Sequence, residues 1–328
     1  MKVWKRVAPI VLALSLLTGC AAGAQNPGDG NVYLDMVQLE EVEIEAEAVA
    51  MAAAPALPDS MIPVASGTKV VKNAKATIDY SNIADGYVMV NYTATTDKQI
   101  KVKLVSPSTA NEYYQYNLTP GQWTTFPLSD GNGEYKVSVM EHTGVDRKYA
   151  VVASVTFEAA MADEFAPFLR PNQYVDYANA VNTIAKAKEL TENIADPLEK
   201  VQKVYDYVVE NLTYDKERAA NVQSGYLPVL DSVLAEKKGI CFDYAALMTG
   251  MLRSQGVPCK LVTGYAGTAF HAWISVWTEE AGWVDGAIYF DGTTWQRMDP
   301  TFASSGHSSE AILKYIGDGA NYTTKYLY

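Results

Sequence analysis

Between residues 68 and 159 apolar and polar positions alternate in short runs: "ATIDYS", "GYVMVNYTA", "IKVKLVS", "EYYQYNL", "WTTFPL", "EYKVSVME" and "YAVVASVTF". In an extended chain successive side chains point to opposite faces, so each run predicts a half-buried strand. Seven such runs separated by turn residues predict an all-β sandwich of the Ig-like kind over 67–160. Asn132-Gly133 is the dipeptide that a type I′ hairpin prefers. The surrounding "DGNGE" lacks the ligand spacing and the later Glu of an EF-hand loop, and reads as a turn.

Beyond Ala160, "DEFAPFLRPNQYV" reads as an extended connector, and the period then changes. In "DPLEKVQKVYDYVVENL" the apolar residues Leu198, Val201, Tyr205, Val208 and Leu212 recur at three and four, which predicts a helix. Asp196, Pro197 and Glu199 supply an N-cap, a first-turn proline and a capping-box partner. A second helical run opens at Cys241 in "KKGICFDYAALMTGMLRSQG" and stops at Gly256-Val257-Pro258. Alternation returns in "CKLVTGYAG", "HAWISVWTE", "GAIYF" and "TTWQRMDPT". Helices followed by strands predict an α+β domain with a mainly antiparallel sheet over 161–328.

The remaining residues carry no such pattern. Lys2, Lys5 and Arg6 precede an apolar run ending at Leu17, the layout of a secretory signal peptide. That run is too short to span a bilayer, and no other stretch is long and apolar enough. Leu17-Thr18-Gly19-Cys20 looks like the lipobox of bacterial lipoproteins, which implies cleavage after residue 19 and a lipid on the Cys20 thiol. Residues 20–66, with Ala, Pro, Gly and the acidic run "LEEVEIEAEA", read as a flexible tether. The expectation is a membrane-anchored, extracytoplasmic protein at the cell surface or in the envelope.

Composition narrows the partners. The formal charge is −12, and removal of the signal makes it more negative, which excludes the basic footprint that nucleic acid requires. The chain has three cysteines, Cys20, Cys241 and Cys259. A helix between the last two would hold them about 20 Å apart, beyond the reach of a disulfide.

A cysteine at a helix start has two readings. It can be a small buried hydrophobe, or a nucleophile whose thiolate is favoured by the unpaired N–H groups and partial positive charge of the helix N-terminus. A nucleophilic thiol needs a base, and the base needs a group that orients it. Of the three histidines, His142 falls in the sandwich and His307 in a Ser/Gly-rich loop, while His271 begins "HAWISVW", sharing a strand face with Trp273 and Ser275. Asp299 ends "TTWQRMDPT", and on an antiparallel neighbour the end of one strand meets the start of the next. Trp273, Trp277, Trp283 and Trp295 fall in this region and are either core or the wall of an acyl-binding cleft.

Taken together, "GICFDYAALMTGMLRSQGVPCKLVTGYA", "HAWISVW" and "RMDPTF" resemble the bacterial transglutaminase-like family, whose fold is related to the papain-like thiol enzymes. The resemblance covers roughly residues 165–328. It implies Cys241 as nucleophile, His271 as general base and acid, and Asp299 as the residue orienting His271. It also implies that "LTYD" closes the helical part before the catalytic segment. Residues 278–297 are longer than the hairpin many relatives place there, and Asp291-Gly292 predicts an added β-hairpin. The expected chemistry is attack on a peptide or glutamine-type amide through a thioester acyl-enzyme that passes to water or an amine. The substrate would be a protein or peptide, cell-wall peptides included, with no cofactor and no metal. Backbone N–H groups at the start of the Cys241 helix would stabilise the oxyanion, with Gln223, Tyr214 and Tyr226 as candidate side-chain donors. The alternative from another class is a non-catalytic surface binding or structural module that retains the fold.

Overall fold

The computed structural model describes residues 61–108, 112–279, 282–285, 288–290, 295–297 and 322–328. The signal segment, Cys20 and nearly all of the expected tether lie outside the described residues, as do His307 and Asp299.

Residues 70–159 form eight strands. β1 (Val70–Lys72), β2 (Ala76–Asp79), β3 (Tyr87–Tyr92) and β6 (Thr124–Pro127) make one antiparallel sheet in the order β1-β2-β3-β6. β4 (Ile100–Val105), β5 (Tyr114–Leu118), β7 (Gly133–His142) and β8 (Tyr149–Ala159) make a second, ordered β5-β4-β7-β8. Ile78, Val88 and Val90 of the first sheet and Val102, Val137 and Val139 of the second are buried in one core. Burying each such side chain contributes roughly 1.5–3 kcal/mol. The seven alternating runs are β2 to β8. β1 escapes the pattern because it is a three-residue strand at a sheet edge, with two of its residues exposed.

The type I′ hairpin expected at Asn132-Gly133 does not form. β6 and β7 belong to different sheets, so the segment between them crosses from one to the other instead of folding back. Positive φ occurs at Gly131 (81°) and Gly133 (137°) but not at Asn132, whereas a type I′ turn requires it at both central residues. The crossing is pinned by Asp130, whose carboxylate accepts from the hydroxyls of Ser106 and Tyr114 and whose N–H donates to the Tyr135 oxygen at 3.1 Å.

The rest of the chain is mixed α/β. The expected extended connector contains a 3-10 turn, Ala166–Phe168, and a short bridge between Asn172 and Val175. Helices α1 (Val181–Thr191), α2 (Pro197–Asn211), α3 (Lys216–Asn221) and α4 (Leu230–Glu236) follow, with β9 (Thr213–Tyr214) after α2. Asp196 caps α2 by accepting from Leu198 N–H at 2.9 Å. β10 (Lys238–Gly239) pairs in parallel with β9 and leads into α5 (Cys241–Ser254). β11 (Cys259–Ala266), β12 (Ala269–Thr278), β13 (Gly282–Asp285) and β16 (Tyr322–Leu327) form an antiparallel sheet ordered β13-β12-β11-β16. β14 (Ile288–Phe290) and β15 (Trp295–Arg297) form the added hairpin as a separate pair.

Helix α5 is the central element, packed against α1, α2, α4, β11 and β12. Every residue from Asp243 to Arg253 is buried, which explains why the run is apolar nearly all round and not on one stripe. Arg253, charged and buried at the end of this stretch, is satisfied by three carbonyls: its Nε donates to Cys259 O at 2.8 Å, Nη1 to Arg170 O at 2.8 Å and Nη2 to Tyr328 O at 2.5 Å. One side chain thereby ties α5 to β11, to the connector and to the segment after β16.

The two halves share a buried aromatic junction. Tyr328 lies 4.5 Å from Tyr174, 5.7 Å from Tyr114 and 6.0 Å from Tyr116 between ring centroids, mostly edge to face. Gln173 donates to Asn117 O at 2.6 Å, and Arg170 pairs with Asp85 at 3.3 Å. The β-strand half is therefore not a detached spacer: β5 presents Tyr114 and Tyr116 to the α/β half as part of one core.

Candidate active site

Cys241 is the first residue of α5 and is buried, with 2% of its surface exposed. The chain reaches it through β10, held beside β9, and Ile240 enters the helix in an extended conformation (φ −97°, ψ 177°). The first helical bond runs from Tyr244 N–H to Ile240 O at 3.1 Å. The preceding N–H groups have no intrahelical acceptor, and their partial positive charge favours a thiolate.

His271 is buried on β12 and pairs across the sheet with Gly264 of β11. Trp273 and Ser275 follow it on the same face, opposite Val262 and Lys260. Cys259 fixes how the sheet lies along the helix, because its thiol donates to Thr249 Oγ1 at 3.6 Å. From Thr249 back to Cys241 is about 12 Å along α5. From Cys259 forward to Gly264 is about 16 Å along β11. β12, which carries His271, packs against α5, which begins at Cys241.

The strand expected beside β12 is different. β13 occupies that position, joined by a tight connection in which Gly282 has φ 67°. β15, which ends two residues before Asp299, pairs with β14 instead. A contiguous hairpin closes over a shorter loop than a return from beyond residue 290, so the local partner takes the edge.

Cys259 shows the contrasting thiol. It is fully buried in the core, and burial pushes its pKa up to about 11. Cys241 and Cys259 are not joined in a disulfide. Among the described residues no three His, Cys, Asp or Glu side chains converge on a metal-sized site.

Two of the three candidate oxyanion side chains are committed elsewhere. The Gln223 amide donates to Asn221 O at 2.8 Å. The Tyr226 hydroxyl donates to Asp243 Oδ1 at 2.6 Å, and burial raises the Tyr226 pKa. Trp277 and Trp283 are packing residues: Trp277 lies 4.7 Å from Phe165, Trp283 lies 5.1 Å from Phe168, and Lys260 Nζ sits 3.6 Å over the Trp283 ring. These contacts bind the connector to the sheet edge. Asp243 and Arg218 are absent from the sequence expectations: Asp243, two residues after Cys241, is fully buried, and Arg218 Nη1 donates to its Oδ2 at 3.4 Å. An acid at the third helical position was visible in "CFD" as a capping signal, but its partners come from segments that only the fold brings near.

Residues 184–300 match the transglutaminase-like superfamily. The matched segment holds Cys241, His271 and Asp299 in order. This chain is similar to protein YebA of Bacillus subtilis, 27% identical over 117 residues, covering 30% of this chain and 16% of that protein. It is also similar to a protein-glutamine gamma-glutamyltransferase of Pseudomonas aeruginosa, 31% identical over 68 residues, covering 16% of this chain and 10% of that protein. The chain thus spans a small part of the length of these relatives. Among solved structures, a proposed cysteine protease from Cytophaga hutchinsonii aligns with a TM-score of 0.37 at 14% identity, covering 79% of this chain and 73% of that one. Red sea bream transglutaminase aligns with a TM-score of 0.30 at 14% identity, covering 70% of this chain and 53% of that one.

Proposed function

We propose that this chain is a cell-surface thiol enzyme acting on peptide or glutamine-type amides. The family match supports a cysteine enzyme. The feature that supports the reading is Cys241 at the first position of a buried helix within the matched segment, with His271 buried on β12, a strand that packs against that helix. Cys241 attacks the amide carbonyl as a thiolate, and N–H groups of the first turn receive the oxyanion. His271 gives its proton to the leaving amine, and Asp299 orients the imidazole. The thioester then passes to water or to an amine. A lipid on Cys20 holds the enzyme at the membrane, with residues 20–66 as the tether.

The test is incubation of the full chain with cell-wall peptides and surface proteins, read by mass for amide loss or amine incorporation. Turnover is expected to vanish in Cys241→Ala. Turnover that survives Cys241→Ala rules out Cys241 as the nucleophile, and its absence across the whole panel favours the non-catalytic binding module. For the anchor, Cys20→Ser is expected to release the protein from membranes, and unchanged fractionation and mass would count against lipidation.

A further inference from the structure

The Gly239–Ile240 peptide unit, one before the unit that carries the Cys241 N–H, is held at both polar ends. The Gly239 carbonyl accepts from Asp215 N–H at 2.8 Å, and the Ile240 N–H of the same peptide donates to Asp243 Oδ2 at 2.8 Å. Asp243 has no exposed surface, and its other oxygen accepts from Tyr226 at 2.6 Å. Arg218 reaches Asp243 at 3.4 Å, Glu236 at 2.9 Å and Asp215 at 3.7 Å, and Lys238 reaches Asp215 at 3.2 Å. Two cations and three carboxylates thus form one ion-pair network, of which the Asp243 carboxylate touches the peptide plane. Gly239 leaves them room: a Cβ at that position would lie 2.6 Å from the Asp243 Cβ.

We infer that Tyr226 and Asp243 are positioning residues for acylation, aiming the backbone N–H groups at the start of α5 toward the oxyanion formed at Cys241. This rests on the reading of Cys241 as the acylated nucleophile. The Gly239–Ile240 plane is followed by the Ile240–Cys241 plane, which carries the Cys241 N–H. Rotation of the first is passed to the second through the dihedrals of Ile240. Oxyanion donors act at about 2.7–3.1 Å, and displacements near 1 Å can lower rates about a hundredfold. Of the three candidate side-chain donors, Tyr226 thus serves the oxyanion at one remove, through Asp243.

Two reagents separate this role from a general structural one. With p-nitrophenyl acetate, the Cys241 sulfur adds to the carbonyl carbon to form a tetrahedral oxyanion. Collapse expels p-nitrophenolate and leaves a thioester. With iodoacetamide the same sulfur displaces iodide as the S–C bond forms and the C–I bond breaks, and no oxyanion arises. In the full chain at one neutral pH, Tyr226→Phe is expected to slow acylation of Cys241 about tenfold or more, with alkylation within about twofold of the parent. Asp243→Asn is the second variant: it keeps an oxygen acceptor but turns an amide N–H toward the Tyr226 hydroxyl, and the same split is expected. Acylation at the parent rate in both variants overturns the proposal, and so does an equal fall in both reactions. A parent protein whose Cys241 takes neither reagent overturns the thiol-enzyme reading itself, a result distinguishable from either of these.

Discussion

Gly264→Ala is the substitution from which the fold predicts the largest local effect for one added carbon. Gly264 pairs with His271 on one side and with Thr324 on the other, where a register shift between Thr263 and Gly264 draws β16 close. A Cβ there would lie 2.0 Å from Thr323 O, 2.8 Å from the end of the Trp273 ring and 3.0 Å from Lys325 N. Two of these three atoms are backbone, so relief requires β16 to retreat by about 1 Å or more. Overpacking of this kind costs about 1–3 kcal/mol. Loss of two or so strand hydrogen bonds adds about 1 kcal/mol each. A total near 3–5 kcal/mol corresponds to a fall in Tm of about 4–9 °C for a chain of this size. Gly121→Ala is the control, because its φ is 84° but a Cβ there meets nothing within 4 Å. Only left-handed backbone strain of about 1–2 kcal/mol is expected at that position. Scanning calorimetry or thermal circular dichroism on both variants checks the difference. Gly264→Ala melting within about 2 °C of the parent, or no lower than Gly121→Ala, would refute the close approach of β16 to β11.

Other outcomes follow from the same contacts. Lys75 and the Tyr92 hydroxyl hold the Glu141 carboxyl down at about 2, so it stabilises the fold fully above the unfolded value of about 4.3 and loses that contribution as pH falls toward 2. Glu141→Gln should therefore flatten the acid limb of stability against pH between those values, and an unchanged acid limb would count against the cluster. A chain starting near Asp163 removes Tyr114 and Tyr116 from the aromatic junction, and is expected to expose Tyr174 and Tyr328 and to melt far below the full chain. Equal melting temperatures for the two would mean that the halves are independent. Gly239→Ala should disturb Asp243 and lower stability by about 1–3 kcal/mol through overpacking, measured by urea titration.

The strands β2 to β8 were legible because each buries one face, and burial of one face writes a period of two into the sequence. Helix α5 was legible as a helix from its length and its terminator at Gly256, and the β14–β15 hairpin from its turn residues. What the pattern could not carry was partnership. The Asn132-Gly133 dipeptide signals a turn, but whether the flanking strands pair depends on β6 choosing β3 and β7 choosing β4, contacts between distant segments. β16 likewise joins β11 across more than fifty residues and brings no local signal of where it will dock. Within the site, Cys241 was legible as a thiol at a helix start and His271 as a histidine on a strand, although β12 opens two residues before it, at Ala269. Tyr226 was noticed as a hydroxyl near the site, yet its bond to Asp243 spans seventeen residues and exists only once α5 is packed. The aromatic junction was missed for the same reason: "YYQYNL" alternates like any edge strand, and nothing local says that its tyrosines meet Tyr174 and Tyr328.

The central claim is that Cys241 is the reactive thiol and Cys259 is packing. Alkylation by iodoacetamide across pH, with each cysteine mapped by mass spectrometry, tests it most directly. Cys241 should be labelled at mildly acidic pH, below the ordinary thiol value of about 8.5, because the helix N-terminus and an imidazolium partner favour its thiolate. Cys259, raised to about 11 and enclosed by the core, should be labelled only after unfolding. His271→Ala should move the Cys241 profile to higher pH. Labelling of Cys259 ahead of Cys241 in the native chain, or a Cys241 profile that His271→Ala leaves unmoved, would contradict the account.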